Sequence, residues 1–303
     1  MFQTCSRISS IEFILQNIKE SGYLMSKQVV QDNSRALDQF YTNPIFAQKF
    51  ISSIKKVVKL HDYDYILEPS AGSGSFYNLL DENKRIGLDL EPKAEGIIQT
   101  DFFLWENPKG KIITIGNPPF GKNSSLAVKF FNKAAEFSDV IAFVIPKTFR
   151  KGSLINRLNQ NFHLIHDEDV PKDSFIFNGA PYDVPCCAQI WIKKNKKRAK
   201  IVSYKMSQIS EYFEIVEPNT ADFAIQRVGG RAGLIRTEDY KTFSPLSHYF
   251  IKANKAQVLD IFQNINFDEV KFNTAGNPSV SPSELIELFL KAAKQKGLQI
   301  QLG

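Results

Sequence analysis

Apolar and polar positions alternate in two ways between residues 36 and 200. Short apolar runs bounded by turn residues predict buried strands, and apolar residues spaced three or four apart predict helices. The strand-like runs cover residues 65–67, 85–90, 97–98, 112–115 and 140–145, and the helical stretches cover residues 76–80 and 126–137. This alternation predicts βαβ units around a mostly parallel sheet. We expect residues 162–165 and 186–192 to form an antiparallel pair at its edge.

The same pattern divides the chain into three parts. We expect an N-terminal extension over residues 1–35, with one short amphipathic helix, and an α/β domain over residues 36–200. The shorter, mixed segments of residues 201–303 predict a smaller α+β domain. A helix closes it: Ser281, Pro282 and Glu284 mark the start of this helix, and Gly297 marks its end.

The composition is that of a globular protein, with 43% hydrophobic and 23% charged residues in a chain of 303. No apolar stretch is long enough to cross a bilayer, and the N-terminus lacks the features of a secretory signal. Three cysteines are too few for a disulfide framework. We therefore expect a cytoplasmic protein without a membrane partner. Its net charge of +6 is compatible with a polyanionic partner.

Basic residues are concentrated in residues 193–200, directly after a predicted strand. Lys194, Lys196, Lys197 and Arg198 are candidates for phosphate contacts at a hinge between the two domains. The alternative is an ordinary solvated loop, and composition by itself favours neither interpretation.

A glycine-rich segment, residues 67–76, separates the first predicted strand from the first predicted helix. Glycines at such a junction allow a tight turn and the close approach of a ligand to the backbone. Tyr77 occupies the position of the third glycine of dinucleotide-binding folds, which disfavours NAD or FAD. Asp89 ends the second strand, where it could accept hydrogen bonds from ribose hydroxyls, and Asp101 follows the third. A glycine loop and two acids in this order predict a cofactor site.

The most specific motif is Asn117-Pro118-Pro119-Phe120, after the fourth predicted strand. Two consecutive prolines hold the backbone extended and remove two N–H donors, so nearby carbonyls are left to accept from a ligand. The Asn117 side-chain oxygen and the Pro118 carbonyl could grip an exocyclic amine and aim its lone pair at a methyl donor. Phe120 offers an aromatic face on which a base could stack. A rigid turn that merely ends a strand is the alternative.

These segments resemble a known family. Residues 68–74 and 117–120 look like the cofactor and catalytic motifs of the amino-methyltransferases that modify adenine N6, and residues 39–44 are similar to their cofactor-covering segment. The order of the segments, with a C-terminal recognition region last, is that of the gamma class, and the resemblance covers residues 36–195. It implies that residues 36–200 form the cofactor-binding catalytic domain and that residues 201–303 form a target recognition domain. One departure is Asn43, which separates Thr42 from Pro44. The resemblance implies a Rossmann-like class I methyltransferase fold with a seven-stranded mixed sheet, and S-adenosyl-L-methionine as cofactor.

The resemblance also assigns roles to residues. It places Asp89 on the ribose, Asp101 on the adenine amine and Phe102 against the adenine ring of the cofactor. Phe177, with Phe175 in reserve, would stack on the target base, which must be extruded from a duplex or be unpaired. The implied catalytic residues are Asn117, Pro118, Pro119 and Phe120, and the cofactor-binding residues are Tyr41, Thr42, Glu68, Pro69, Ser70, Ala71, Gly72, Gly74, Asp89, Leu90, Asp101, Phe102 and Asn117.

Beyond residue 200, a glycine-rich segment carries Arg227 and Arg231, which could contact a nucleic-acid backbone or guanine edges. An ordinary hairpin with surface arginines is an equal alternative. The four histidines show no metal-ligand spacing with cysteines or acids, so we expect no metal.

The leading hypothesis is N6-adenine methylation of DNA. N6-adenosine methylation of RNA, including messenger caps, would use the same chemistry, because the catalytic motif contacts only the base. Methylation of a protein glutamine also uses Asn-Pro-Pro followed by an aromatic residue. The non-enzymatic alternative is an inactive nucleic-acid-binding module, which the intact motifs disfavour.

Overall fold

The computed structural model describes residues 40–298 and residue 300, and a seven-stranded sheet forms the centre of its first unit. The strands of this unit are β1 (Tyr41–Thr42), β2 (Tyr65–Glu68), β3 (Arg85–Asp89), β4 (Ile98–Gln99), β5 (Ile112–Gly116), β6 (Val140–Pro146), β7 (Phe162–Asp169), β8 (Phe175–Phe177), β9 (Ala180–Tyr182) and β10 (Cys186–Lys193). The order in the large sheet is β4-β3-β2-β5-β6-β10-β7. β10 is antiparallel to both of its neighbours, whereas β2 to β6 pair in parallel. This is the class I methyltransferase arrangement, so the predicted fold class is confirmed, and with it the antiparallel edge pair.

The central strands are apolar throughout because both faces of the sheet are covered. All five residues of β5 and all seven of β6 are buried. Helix α1 (Pro44–Val57) packs on one face, and α2 (Ser125–Ala134) with the short α3 (Gly152–Ile155) packs on the other. Helix α2 corresponds to the helix predicted over residues 126–137.

Helix α1 explains the departure at Asn43. The Asn43 side-chain oxygen accepts a hydrogen bond from the Ile45 N–H at 2.9 Å, and Pro44 occupies the first turn. The Asn43 N–H donates to the Ser174 carbonyl at 2.9 Å. The additional residue therefore caps a helix and anchors its start.

The helix predicted over residues 76–80 is wrong in extent, since only one 3-10 turn, Tyr77–Leu79, forms there. The Tyr77 side chain packs against two glycines of neighbouring chain segments: a Cβ at Gly87 would lie 2.7 Å from its ring, and one at Gly96 would lie 2.8 Å from its hydroxyl. The guanidinium of Arg85 lies 4.3 Å from the ring centroid and donates to the Tyr77 carbonyl. These contacts hold the turn against β3 and leave no room for a longer helix.

A small second sheet, β1-β8-β9, lies beside the large one. Strands β8 and β9 form a hairpin whose two turn residues, Asn178 and Gly179, both have positive φ (50° and 76°). This is the backbone that an Asn-Gly pair favours in a two-residue turn. β1 pairs antiparallel with β8, with Tyr41 opposite Ile176.

The second unit has its own core, built from residues that follow residue 203. Its strands β11 (Phe213–Ile215), β12 (Phe223–Gln226), β13 (Ile235–Arg236) and β14 (His248–Ala253) form the antiparallel sheet β11-β14-β12-β13, and its helices are α4 (Val258–Gln263), α5 (Asp268–Lys271) and α6 (Pro282–Gln295). The predicted capping box of α6 is present, since Ser281 and Glu284 each accept from the other's backbone N–H. An ion pair of 3.2 Å between Lys151 and Glu284 joins the two units. Within the described residues, no helix combines the length and apolarity needed to span a bilayer.

Candidate active site at the carboxyl edge of the sheet

The carboxyl ends of three parallel strands bring the site together. Glu68 ends β2, Asp89 ends β3 and Gly116 ends β5, and β2 lies between the other two strands. Ligands of open α/β sheets bind at this edge, where the strand order reverses.

A cavity of about 320 Å³ opens at this edge, within the size range of small-molecule sites. Twelve of the thirteen predicted cofactor-binding residues line it, Gly74 being the exception. The other lining residues are Phe40, Ser73, Ser75, Phe76, Glu91, Thr100, Phe103, Pro119, Leu126 and Phe130. The fold therefore gathers segments that are far apart in sequence around one cavity.

The two loop glycines have different roles. The Gly72 N–H donates to Asp89 Oδ2 at 2.7 Å, and a Cβ on Gly72, whose φ is +51°, would lie 3.0 Å from the Tyr41 ring. Gly72 thus keeps the covering segment close to the loop. Gly74 (φ +81°) does not line the cavity. Its N–H donates to the Ala71 carbonyl at 2.7 Å, and a Cβ there would lie 2.8 Å from the Asn78 side chain, so Gly74 closes the turn of the loop.

Both carboxylates that follow the strands are oriented by backbone N–H groups. Asp89 Oδ1 accepts from the Glu91 N–H at 2.8 Å, and Asp101 Oδ1 accepts from the Phe103 N–H at 2.8 Å. A carboxylate has about four acceptor positions, so each can still accept from a ligand. Next to Asp101, Phe102 is 2% exposed and stacks on Phe130 with ring centroids 5.1 Å apart.

Glu68 forms a buried wall of the cavity. It is 2% exposed, and burial raises the pKa of its carboxyl well above the usual value, with a smaller contribution from Asp89; the backbone of Tyr77 opposes the shift. Its Oε2 atom is buried and has no hydrogen-bond partner among the described residues. A buried oxygen of this kind is available for a hydrogen bond with a ligand in the cavity.

Asn117 lines the first cavity and is hydrogen-bonded to Phe40. Its Nδ2 donates to the Phe40 carbonyl at 3.1 Å, and its own carbonyl accepts from Ser70 Oγ at 3.2 Å. These bonds fix the side chain, which lines the cavity with Oδ1 buried and without a partner in the described chain. A fixed, unpaired amide oxygen is equipped to accept a hydrogen bond from a ligand amine.

The second cavity, of about 750 Å³, lies between the two units and shares Phe40 with the first. Its lining residues are Phe40, Phe120, Gly121, Asn123, Ser124, Pro146, Thr148, Lys151, Ser153, Leu154, Arg157, Tyr182, Asp183, Val184, Pro185, Thr274, Ala275 and Ser279. Among the catalytic motif residues, Pro119 lines the first cavity and Phe120 the second, whereas Pro118 is buried and lines neither.

Four aromatic rings surround the junction of the cavities. Phe40 lies 6.4 Å from Phe120, 5.4 Å from Phe177 and 5.1 Å from Tyr182, between ring centroids. Phe177 belongs to this cluster but does not line the second cavity. The hairpin ring that lines the second cavity is that of Tyr182, which is 44% exposed. Phe175 is 1% exposed in the core, so the reserve assignment is wrong. Phe40 and Tyr182 are not among the site residues predicted from the sequence, although Phe40 precedes Tyr41 and Tyr182 closes the Asn-Gly hairpin.

The basic run of residues 193–200 lies away from both cavities, apart from the candidate active site. Because β10 is antiparallel, Ile192 pairs with Val140 at the amino end of β6, and Lys194, Lys196 and Lys197 follow β10 at the edge opposite Asn117. The run therefore lies between the two units in sequence but away from the candidate active site, and a phosphate contact by these lysines stays a prediction. For Arg198 the prediction is corrected: its guanidinium donates to the Ile155 and Leu158 carbonyls and so holds the first unit together.

The two arginines of the second unit differ in exposure. The guanidinium of Arg227 lies 5.2 Å from the Tyr249 ring centroid, with Nε buried, which indicates a packing role. Arg231 is exposed. Neither lines the second cavity, which the second unit reaches through Thr274, Ala275 and Ser279. In the described part of the chain, no group of three or more His, Cys, Asp and Glu side chains could hold a metal ion.

No protein-family model matches the chain, and no curated protein matches it in sequence. Solved structures do resemble about half of the chain. They include a candidate RNA methyltransferase from Pyrococcus horikoshii (18% identity, 52% of this chain and 88% of that chain, TM-score 0.43) and the 23S rRNA methyltransferase ErmE (15% identity, 52% and 71%, TM-score 0.39). A dimethyladenosine transferase from Plasmodium falciparum is also similar (18% identity, 52% and 64%, TM-score 0.36). At these values the similarity concerns the fold and carries no argument about the substrate.

Proposed function

We propose that this protein is a methyltransferase that uses S-adenosyl-L-methionine to methylate the N6 amine of adenine in a nucleic acid, with DNA as the first candidate. One observation carries the proposal. The buried amide oxygen Asn117 Oδ1, in a motif of the adenine amino-methyltransferase type, has no partner in the described chain. Its side chain lines the first cavity and donates to Phe40, a residue that lines the aromatic second cavity as well.

The first cavity fits the cofactor in size and in chemistry. Asp89 is oriented to accept from ribose hydroxyls, and Asp101 is oriented to accept from the adenine amine. The Phe102 side chain and the exposed Leu90 would enclose the adenine ring. Glu68 supplies a buried acceptor on the opposite wall. When bound, the cofactor supplies an activated methyl group on a sulfonium.

The protein would hold the target base in the second cavity, with the amine directed past Phe40 toward Asn117 in the first cavity. Asn117 Oδ1 would accept from one N–H of the adenine amine, which keeps the nitrogen lone pair free. The motif assigns the other N–H to the Pro118 carbonyl, and Pro118, which is buried, would have to be reached by the amine from outside both cavities. The Phe120 and Tyr182 rings provide stacking surfaces, each worth about 1–3 kcal/mol. No general base is required before the transfer, because catalysis rests on alignment and fixed dipoles. The methylated nitrogen, which is then cationic, loses one of its protons to solvent after the transfer.

RNA is the second candidate substrate, since Asn117 and the aromatic rings contact only a base and do not discriminate the sugar. Duplex DNA, single-stranded DNA, RNA and a glutamine-bearing protein should be incubated in parallel with labelled S-adenosyl-L-methionine. We expect label on N6-methyladenine in at least one nucleic acid. Transfer to the protein alone would contradict the proposal, and no transfer to any substrate would favour an inactive module.

The Asn117→Ala substitution tests the mechanism. We expect kcat to fall by about a hundredfold or more, because the dipole that aligns the amine is lost, while the cofactor dissociation constant changes only a few-fold. Calorimetry and methyl-transfer assays measure the two quantities. Asn107→Ala, an exposed asparagine that lines neither cavity, serves as control. Activity within a few-fold of wild type in Asn117→Ala would refute this role.

A further inference from the structure

The basic run has a structural feature that the active site does not use. Lys193, Lys194, Lys196 and Lys197, which we call the lysine patch, occupy four of five consecutive positions, and all four are exposed. Within residues 40–298 none of their ammonium groups takes part in an ion pair, although lysines elsewhere in the same unit, such as Lys147 and Lys133, are paired.

The backbone of the lysine patch is fixed at both ends. The Lys193 N–H donates to the Asp139 carbonyl and the Lys194 N–H donates to the Asn161 carbonyl, each at 2.8 Å. His163 Nε2 lies 2.8 Å from the Lys196 carbonyl oxygen. After the patch, Arg198 anchors the chain through its guanidinium. A fixed row of cations loses less conformational entropy on binding than a mobile tail does.

The charge around the patch is not neutralised by the neighbouring strand. The three acids of β7 are Asp167, Glu168 and Asp169, and they lie at the other end of that strand. Asp167 and Asp169 bind Arg150 and Lys147 there, and Glu168 lies 3.4 Å from His166. Asp139 lies next to the patch, and its backbone carbonyl accepts a hydrogen bond from the Lys193 N–H. Four uncompensated positive charges close together attract a polyanion.

The distance from the active site sets the length of that polyanion. The patch follows the amino end of the sheet, and Asn117 follows its carboxyl end. The seven residues of β6 span roughly 20 Å between these edges at about 3.3 Å per residue. A stacked strand advances about 3.4 Å per nucleotide, so a substrate must extend at least six nucleotides beyond the target to reach the patch.

We propose that the lysine patch is a second nucleic-acid-binding surface, which holds the phosphate backbone of a long substrate away from the target base. This inference rests on the proposed function and deepens it, because it assigns a substrate that continues around the edge of the sheet. The patch raises affinity for long nucleic acid without contacting the reacting base.

The test compares the wild type with a variant in which all four patch lysines are changed to glutamine. A control variant carries the same loss of charge on α1 and directly after it, through Lys49→Gln, Lys55→Gln, Lys56→Gln and Lys59→Gln, four exposed lysines without ion pairs in the described structure. Fluorescence anisotropy measures binding of an adenine-containing 40-mer and of a tetranucleotide over a series of salt concentrations, with single-stranded DNA and RNA tested separately.

We expect the patch variant to bind the 40-mer about tenfold or more weakly at 0.15 M salt, with the slope of log K against log salt reduced by about 2–3. Tetranucleotide binding and kcat on saturating 40-mer should stay unchanged, so that only KM for the 40-mer rises. The control variant should behave as wild type.

Equal 40-mer binding by the wild type and the patch variant, or an equal loss in the control variant, would overturn the inference. The inference would also be overturned if the patch variant bound the 40-mer as wild type does but no longer bound polyglutamate. That result would indicate that the patch binds an acidic protein. Failure of the proposed function is distinguishable, because the wild type would then transfer no methyl group to either oligonucleotide while the binding comparison still reports on the patch.

Discussion

At the scale of single residues, the site depends on buried polar atoms that the protein itself leaves unpaired. Asn117 Oδ1 and Glu68 Oε2 both lack a partner among the described residues. A buried acceptor without a hydrogen bond costs about 1–3 kcal/mol. Two such atoms on the walls of one cavity indicate that the site is organised for a ligand and not for maximal stability.

Glu68 gives a prediction about stability and pH. Its pKa is raised in the folded protein, mainly by burial, and returns to about 4.3 on unfolding. The stability that it contributes is therefore fully present below the unfolded pKa and is lost as pH rises through the folded pKa. We expect Glu68→Gln to gain free energy of unfolding relative to wild type as pH rises from 5 to 8, as measured by urea denaturation.

The control for this measurement is Glu91→Gln, which replaces an exposed carboxylate at the mouth of the same cavity. Its stability relative to wild type should depend much less on pH. A Glu68→Gln difference that stays constant or shrinks over this pH range would show that Glu68 is not held in its neutral form.

At the scale of elements, the β8–β9 hairpin connects strand β1, which lines the first cavity, with the second cavity. β8 pairs with β1, which carries Tyr41 and Thr42, and β9 ends at Tyr182. The Asn178-Gly179 turn makes this arrangement possible, since both turn residues adopt positive φ. One hairpin thereby positions residues of both cavities.

Tyr182 offers the prediction at this scale. We expect Tyr182→Ala to raise KM for the nucleic acid by about tenfold, because a stacking surface is lost, and to leave cofactor affinity unchanged. Steady-state kinetics and calorimetry provide the two readouts. Tyr182→Phe keeps the ring and should stay within about twofold of wild type. A similar defect in both variants would mean that the hydroxyl, and not stacking, is what matters.

At the scale of the whole molecule, the second cavity exists because two units meet. Lys151 and Thr148 line it from the first unit, and Thr274 and Ser279 line it from the second. The same Glu284 oxygen that binds Lys151 also accepts from the Ser281 N–H and hydroxyl. The helix cap and the contact between the units thus share one carboxylate.

This shared carboxylate can be tested with two variants. Lys151→Gln removes the ion pair and spares the capping box, so we expect weaker nucleic-acid binding by a few-fold with stability changed by less than about 1 kcal/mol. Ser281→Ala removes the cap and spares the ion pair, so we expect a loss of about 1 kcal/mol of stability. Anisotropy and urea denaturation separate the effects. If Lys151→Gln binds nucleic acid as wild type does, the ion pair does not hold the second cavity in the shape that binds nucleic acid.

The sequence by itself determined the large sheet, the order of the motifs that follow its strands, and most of the residues that line the first cavity. Those features follow from local rules: continuous apolar runs for strands buried on both faces, a glycine loop after the first strand, and acids at strand ends. Because the carboxyl ends of parallel strands share one edge, residues such as Glu68 and Asp89 converge without further information.

Only the tertiary structure decided the rest, since it depends on contacts between distant segments. Because β10 runs antiparallel to β6, the basic run lies at the edge of the sheet opposite Asn117. The sequence pattern alone did not indicate this position. Packing of Tyr77 against Gly87 replaced a predicted helix by one turn, and the pairing of β1 with β8 brought Phe40 beside Tyr182. Strand direction and cross-strand pairing are set by the whole core, which no local pattern records.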